Sequence, residues 1–392
     1  MFNALRAEPA MTPGARLSAA IGILDSILGG SNAEQALTNW GRASRYAGSG
    51  DRAAVRDLVY DALRCRRSHA ALGGSDTGRG LVLGGLRDRG GDLALFSGQG
   101  HAPAPVTGGD AGCPPEGAAA LDYPDWILPL IKQSLGGDAP AVLMAMRRRA
   151  PVFLRVNTLR STVETAVALL LQDGVATAPF PDVKNALQAI ANARKIQNSR
   201  AYLDGMVELQ DASSQAVVAA LPLRPGLRVL DYCAGGGGKT LALAAGLNGP
   251  VDAHDISPRR MADLPARAAR AGARVHVVGT PQGTYDIVLA DAPCSGSGSW
   301  RRDPMGKWLL TPEKLAALHQ QQANVLDQAQ RFVSPKGVLA YATCSLLQSE
   351  NQDQIQAFLD RFPQWSVMQT HVFSPLSGGD GFFHSMLTRK PS

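Results

Sequence analysis

Two cysteines stand where they could act as nucleophiles: Cys294, in Asp291-Ala-Pro-Cys-Ser-Gly, and Cys344, in Ala342-Thr-Cys-Ser. Both lie downstream of a glycine-rich loop that follows a strand-like run. A thiolate can add to an electron-poor carbon and form a covalent intermediate. The combination points to a thiolate enzyme working beside a nucleotide-like cofactor. Each cysteine follows a short apolar run, Tyr285-Asp-Ile-Val-Leu-Ala or Gly337-Val-Leu-Ala-Tyr-Ala, of the kind found in buried strands of parallel sheets. Both thiols are therefore expected at the carboxyl ends of strands, where open α/β sheets bind their ligands.

The loop itself reads Arg228-Val-Leu-Asp-Tyr-Cys-Ala-Gly-Gly-Gly-Gly-Lys-Thr-Leu, a strand running through four glycines into an apolar-periodic helix. Backbone N–H groups and a helix N-terminus would there face an anionic or polar ligand. A phosphate loop needs glycine where this chain has Cys233, so that reading fails on spacing. Asp255 closes the next strand, where a carboxylate accepts both hydroxyls of a ribose; the alternative is a cap on the following helix. Strand, glycine loop and second-strand acid together suit an adenosine-containing cofactor such as S-adenosyl-L-methionine.

Along the N-terminal part of the chain, Leu17, Ile21, Ile23, Leu24, Ile27 and Leu28, then Val55, Leu58, Val59 and Leu63, recur at helical spacing within residues 11–71. Arg42, Arg45, Arg52, Arg56, Arg64, Arg66 and Arg67 make that region basic, which suits either a solvated helical face or an RNA-phosphate surface. Residues 72–120, rich in Gly, Pro and Ala, read as a long connection with one helix near Leu81–Leu86. Three regions follow: 11–120, helical with its connection; 121–205, a small α+β unit; and 206–392, a regular strand–helix alternation that predicts a doubly wound sheet. Gly381-Phe-Phe-His-Ser-Met-Leu reads as a final edge strand.

A net charge of +6 favours a polyanionic partner. The five cysteines form no CxxC pair, which argues against a disulfide framework or a closed zinc site, and no metal is expected. With no apolar run long enough to span a bilayer and no signal-peptide core, a cytoplasmic location without membrane association is expected. Met1 and Met11 are both candidate starts.

Taken together, Asp231-Tyr-Cys-Ala-Gly-Gly-Gly-Gly-Lys-Thr, Asp291-Ala-Pro-Cys-Ser-Gly-Ser-Gly, Arg301-Arg-Asp-Pro-Met-Gly-Lys-Trp, Tyr341-Ala-Thr-Cys-Ser and Ser349-Glu-Asn resemble the RsmB/Nop2/Sun family of RNA cytosine-5 methyltransferases, over roughly residues 120–392. Leu37-Thr-Asn-Trp, Gly48-Ser-Gly-Asp-Arg and Leu58-Val-Tyr-Asp-Ala-Leu-Arg resemble, more weakly, the NusB-type domain of bacterial ribosomal RNA members. The resemblance implies a Rossmann-like methyltransferase domain, a small RNA-recognition-like domain containing Pro151-Val-Phe-Leu-Arg-Val-Asn, and an all-α NusB-like domain. It implies S-adenosyl-L-methionine held by Cys233, Ala234, Gly235, Gly236, Gly237, Gly238, Lys239, Asp255, Arg260 and Asp291, an RNA partner and a monomeric chain.

In such enzymes the Thr-Cys cysteine attacks carbon 6 of cytosine and the Pro-Cys cysteine assists product release, roles that fall here on Cys344 and Cys294. Asp291 is the candidate acid toward N3, and Lys239 either perturbs a thiol or stabilises the loop. The family loop normally carries Ala and Pro where Gly235 and Gly236 stand, which implies a larger ordering cost and weaker cofactor binding. The acid expected after the third strand is replaced by Thr280. Trp308 and Tyr341 suit either base stacking or the core, and Arg301 and Arg302 either phosphate contacts or solvent. Ribosomal RNA is the expected substrate; transfer RNA, or a non-catalytic RNA-binding role with a degraded loop, are the alternatives.

Overall fold

In the computed structural model the described residues are 11–391; Met1 and the rest of the first ten residues lie outside them. They divide into two compact units. The first takes the described residues through Pro129 together with Ala139–Arg149 and Trp300–Leu309, and the second takes the remainder.

Helices Pro13–Leu28, Ala33–Ala43, Ser49–Arg64, Arg66–Gly73 and Gly78–Asp88 build the first unit. Thr12, Asn32 and Thr77 start three of them, each side-chain oxygen accepting a backbone N–H three residues on. Leu17, Leu24, Ile27, Val55, Val59, Leu63, Leu81 and Leu83 share one core. Much of the stretch read as a connection is thus structural, since its helix buries Leu81 and Leu83 completely. The basic side chains separate in use. Arg64 is buried and donates through Nε to the Arg301 carbonyl (2.6 Å), Arg66 pairs with Asp76 (2.7 Å) and Arg67 with Asp125 (2.9 Å), while Arg42 and Arg45 are exposed. The Trp300–Leu309 segment is held by the same helix end: Trp308 Nε1 donates to Leu63 O (2.7 Å) and Lys307 Nζ to Arg64 O (3.0 Å).

The second unit opens with a four-stranded antiparallel sheet, β1 (Phe153–Val156), β2 (Ala176–Pro179), β3 (Ala186–Ala191) and β4 (Val207–Leu209), in the order β2-β3-β1-β4. Helix Val163–Gln172 covers it with Ala166 and Leu170 against Leu154, Val156 and Leu187. This is a split βαβ arrangement.

A seven-stranded sheet follows: β5 (Val229–Asp231), β6 (Val251–Ala253), β7 (Val275–Val277), β8 (Tyr285–Asp291), β9 (Val333–Thr343), β10 (Trp365–Phe373) and β11 (Phe382–Arg389). Their order is β10-β11-β9-β8-β5-β6-β7; β7 through β9 run parallel and β11 returns antiparallel. Strand alternation divides the core in two. Val229, Ile287, Ala340 and Met386 face helices Ala212–Ala219 and Gly238–Leu247, whereas Leu230, Val288, Leu339 and Phe383 face helices Pro312–Ala329 and Gln352–Arg361. The α/β reading, with a Rossmann-like sheet, a small α+β sheet and an all-α N-terminal region, describes the molecule. Among the described residues no helix is long and apolar enough to cross a membrane.

One expectation is corrected. The C-terminal strand is not at the edge: β11 lies between β9 and β10, and β10 forms the rim. After buried Trp365, β10 presents mostly exposed residues with little apolar alternation, so its sequence carries a weak strand signal. Phe383→Ala on interior β11 is accordingly expected to cost about 3–5 kcal/mol in urea unfolding, as for other buried phenylalanines. Val372→Ala on the rim should remain within about 0.5 kcal/mol of wild type.

Candidate active site

β5 ends at Asp231, and the chain turns through Tyr232 to Gly237 into helix Gly238–Leu247. The turn is pinned to its neighbours: Tyr232 N donates to Leu289 O (2.8 Å), Ala234 N to His254 O (2.9 Å) and Gly237 N to Ala234 O (2.8 Å). Gly237 has φ +82°, and a Cβ there would lie 2.2 Å from Leu264 Cδ1, so glycine is required. Gly235, at φ +51°, donates its N–H to Asp255 Oδ2 (2.9 Å).

Asp255 is buried, and its other oxygen accepts from Ser257 N (2.9 Å), with Arg260 Nη1 3.4 Å from Oδ2. Arg267 donates to the Gly236 carbonyl and pairs with buried Glu208 (3.0 Å), which Arg270 also contacts. Arg267 therefore braces the loop where the Ala-Pro pair of the resemblance is missing, and part of the ordering cost of two glycines is offset by this charge-assisted bond. Arg267 and Glu208 were not foreseen; their partners lie 31 and 59 residues away in sequence.

The side chains expected to do chemistry converge at the ends of β8 and β9. Lys239, on the first turn of its helix, donates to Asp291 Oδ2 (2.7 Å) and sits 4.8 Å from the Phe382 ring centroid. Burial alone would depress the lysine, but the Asp291 carboxylate outweighs it and leaves the ammonium above its ordinary value. Cys294 Sγ and Cys344 Sγ are 3.5 Å apart, and Ser299 Oγ donates toward Cys344 Sγ (3.9 Å). The hydrogen bond from Cys294 lowers Cys344 below the usual thiol value despite burial and the Asp291 carboxylate, which Lys239 partly offsets. The same bond, reinforced by burial and by Glu350, pushes Cys294 well upward. The pair is thus biased so that Cys294 holds its proton more firmly than Cys344 does. Cys233 is pushed up by burial and by the Asp231 carboxylate, which disfavours its thiolate.

Some expected contributors take other places. Tyr341 is wholly buried and donates to Glu350 O (2.7 Å), so it is a core aromatic and not a stacking surface. Trp308 bonds within the first unit, with Arg66 and Lys307 over its ring. Arg301 is buried, contrary to a solvent-facing role.

Asp231 was also not singled out as a site residue. It is fully buried, accepts from Thr240 Oγ1 (2.7 Å) and is pushed up to about 7 by burial, against the Thr240 bond. A carboxyl raised from 3.8 stabilises the fold fully below about pH 4, and that contribution is lost as pH rises through about 7. Asp231→Asn should remove this dependence. From pH 5 to 7 wild type is expected to lose stability relative to the variant by up to about 1.4 kcal/mol per pH unit, then to run level, as read by denaturant melts across pH.

Residues 218–388 match the family model described as 16S rRNA methyltransferase RsmB/F, and residues 123–197 match the ferredoxin-like domain of RsmF/B-like methyltransferases. Ribosomal RNA small subunit methyltransferase B of Serratia proteamaculans (strain 568) is 32% identical over 286 residues, covering 68% of this chain and 66% of that protein. Its counterpart in Salmonella agona (strain SL483) is 33% identical over 288 residues with the same coverage. The match to this chain spans about two thirds of the length of these relatives. Among solved structures, PH0851 is similar with a TM-score of 0.79 at 22% identity, over 97% of this chain and 99% of that one. NSun6 from Pyrococcus horikoshii, solved with SFG, gives 0.62 at 17% identity, over 69% and 99%. These two structures share the fold.

Proposed function

The chain belongs to the RsmB/F family of methyltransferases, and from that premise we propose that it methylates carbon 5 of a cytosine in 16S ribosomal RNA, in the cytoplasm, using S-adenosyl-L-methionine. The observation that carries this reading is the 3.5 Å approach of two thiols from separate strand ends beside the Lys239–Asp291 pair.

Carbon 5 of cytosine is a poor nucleophile. Addition of Cys344 Sγ to carbon 6 moves electron density onto carbon 5 and makes it one. Charge then builds toward N3, and in this reading Asp291, about a third exposed and held by Lys239 on one oxygen, enters as the carboxylic acid, its proton passing to N3 on addition and returning when the adduct breaks down. Once carbon 5 carries the methyl group its proton passes to a solvent base, the C5–H pair re-forms the ring double bond, the Sγ–carbon 6 pair leaves on Cys344, and the Cys294 thiol assists by donating a hydrogen bond to the departing sulfur.

The residues present fit the cofactor. A side-chain-free stretch from Gly235 to Gly238 opens a helix N-terminus, and a buried carboxylate at Asp255 is fixed beside it by the Gly235 N–H. When bound, the cofactor supplies an electrophilic methyl group. Arg267 holds the loop in shape for it through the Gly236 carbonyl, so Arg267→Ala should weaken S-adenosyl-L-methionine binding about tenfold by titration calorimetry, equivalent to about 1.4 kcal/mol.

The decisive test is a denaturing gel for protein–RNA adducts with cofactor and cellular RNA. Cys294→Ala should accumulate an adduct that Cys294→Ala/Cys344→Ala does not, and sequencing the trapped RNA should return 16S rRNA. A tRNA harvest would move the substrate assignment. No adduct in any variant, together with no cofactor binding, would sink the enzymatic reading.

A further inference from the structure

Glu350 is completely buried, yet it touches both cysteine loops. Its Oε1 accepts from Ser295 N (2.8 Å) and from Gln322 Nε2 (2.9 Å); its Oε2 accepts from Ser295 Oγ and Ser345 Oγ, both at 2.5 Å. Ser295 directly follows Cys294, and Ser345 directly follows Cys344. Gln322 also donates to Pro293 O (3.0 Å), the residue before Cys294. Four donors converge on one side chain that accepts at every site only as a carboxylate. The surrounding bonds extend the tie: Ser297 Oγ lies 3.0 Å from Ser345 Oγ, Gly298 N donates to Cys344 O (2.9 Å) and Asn351 Nδ2 donates to Ser345 O (2.9 Å).

We propose that Glu350 is the positioning residue of the thiol pair, its carboxylate tying the Cys294 loop to the Cys344 loop and its charge assigning the proton to Cys294. The proposal rests on the two-thiol reading above. The geometry explains why a buried carboxylate belongs here. Two thiols in contact divide their protons according to the charges around them, and an anion on the Cys294 side opposes ionisation there. The groups facing Cys294 are Cys344 at the end of β9, Glu350 and Tyr341, while Lys239 and Asp291 face Cys344. On the Cys344 side the Asp291 anion is met by Lys239, whereas Glu350 on the Cys294 side is held by neutral donors alone among the bonds described above, and that asymmetry gives the pair a direction. Glu350 touches neither thiol through a hydrogen bond and acts through its partners.

Glu350→Gln keeps the shape. Its amide nitrogen can stand toward the Ser295 and Ser345 hydroxyls, which rotate to accept, while its carbonyl still receives the Ser295 and Gln322 N–H groups. The charge alone is lost. The test is iodoacetamide alkylation of Cys294 across pH, followed by peptide mass spectrometry, in a Cys344→Ala background with and without Glu350→Gln. The midpoint for Cys294 is expected to fall by about one pH unit on loss of the charge. An unchanged midpoint, or a rise in reactivity equal at every pH, would make Glu350 a packing residue and overturn the proposal.

Should Glu350→Gln fail to melt cooperatively, Ser295→Ala, in the chain with both cysteines, cuts one tie and keeps the charge. Cross-linking of Cys294 to Cys344 by diamide, which takes up the two electrons and two protons released as the S–S bond forms, should then slow several-fold; an unchanged rate would overturn the tie. None of these readouts needs RNA or cofactor. A midpoint shift without any RNA adduct would therefore support the role of Glu350 while the methylation reading fails.

Discussion

The register between β8 and β9 is the constraint from which the site follows. Asp291 lies opposite Ala342 across this parallel pair, so the two chains leave the sheet side by side, one toward Cys294 and the other toward Cys344. A slip of one residue would turn every side chain of one strand to the opposite face and take Leu339 and Tyr341 out of the core against which helix Gln352–Arg361 packs. The hydrophobic pattern that forbids the slip also sets where the thiols emerge. Packing and chemistry are one specification here, and the β11 strand, hydrogen-bonded along the far side of β9, makes β9 an interior strand with no freedom to slide.

Around that register, charge is distributed with little waste. Lys239 is tolerated in a buried position because Asp291 is within 2.7 Å, and Asp231 because it sits at a value where its proton can remain. Glu208 is matched by two arginines, of which Arg267 also reaches the Gly236 carbonyl. Removing one partner from any of these sets would leave a desolvated group behind, which costs more than the bond itself is worth.

Much of this was legible in the sequence. The strand cores Val229–Asp231, Val251–Ala253 and Tyr285–Asp291 announce themselves as short apolar runs, and the loop between Asp231 and Lys239 through its glycines. β10 did not, because a rim strand with one solvated face and few apolar neighbours lacks the pattern that burial imposes. Nor did the contribution of Leu81 and Leu83, set in a glycine-rich stretch where each small residue allows close helix contact: a Cβ on Gly84 would lie 1.9 Å from His69 O. The bracing of the cofactor loop was invisible for a different reason. Arg267 and Glu208 are ordinary surface-type residues locally, and only the fold brings one to the Gly236 carbonyl and the other to the end of that guanidinium. Glu350 carried a hint in its Ser349-Glu-Asn context, but the convergence of Ser295, Gln322 and Ser345 on it is a tertiary fact.

The Trp300–Leu309 segment belongs by packing to a part of the chain far from it in sequence. It is encoded in the middle of the methyltransferase half of the gene, yet its anchoring acceptors, the carbonyls of Leu63 and Arg64, belong to the N-terminal helices. The helical part is therefore not a detachable cassette. Shortened from its N-terminal side, the protein would carry an orphaned ten-residue excursion with two tryptophans and an unpaired lysine, immediately after the Ser299 that donates toward Cys344. Removing the helical part would therefore uncover this internal stretch as well, and the two pieces of sequence form one folding element.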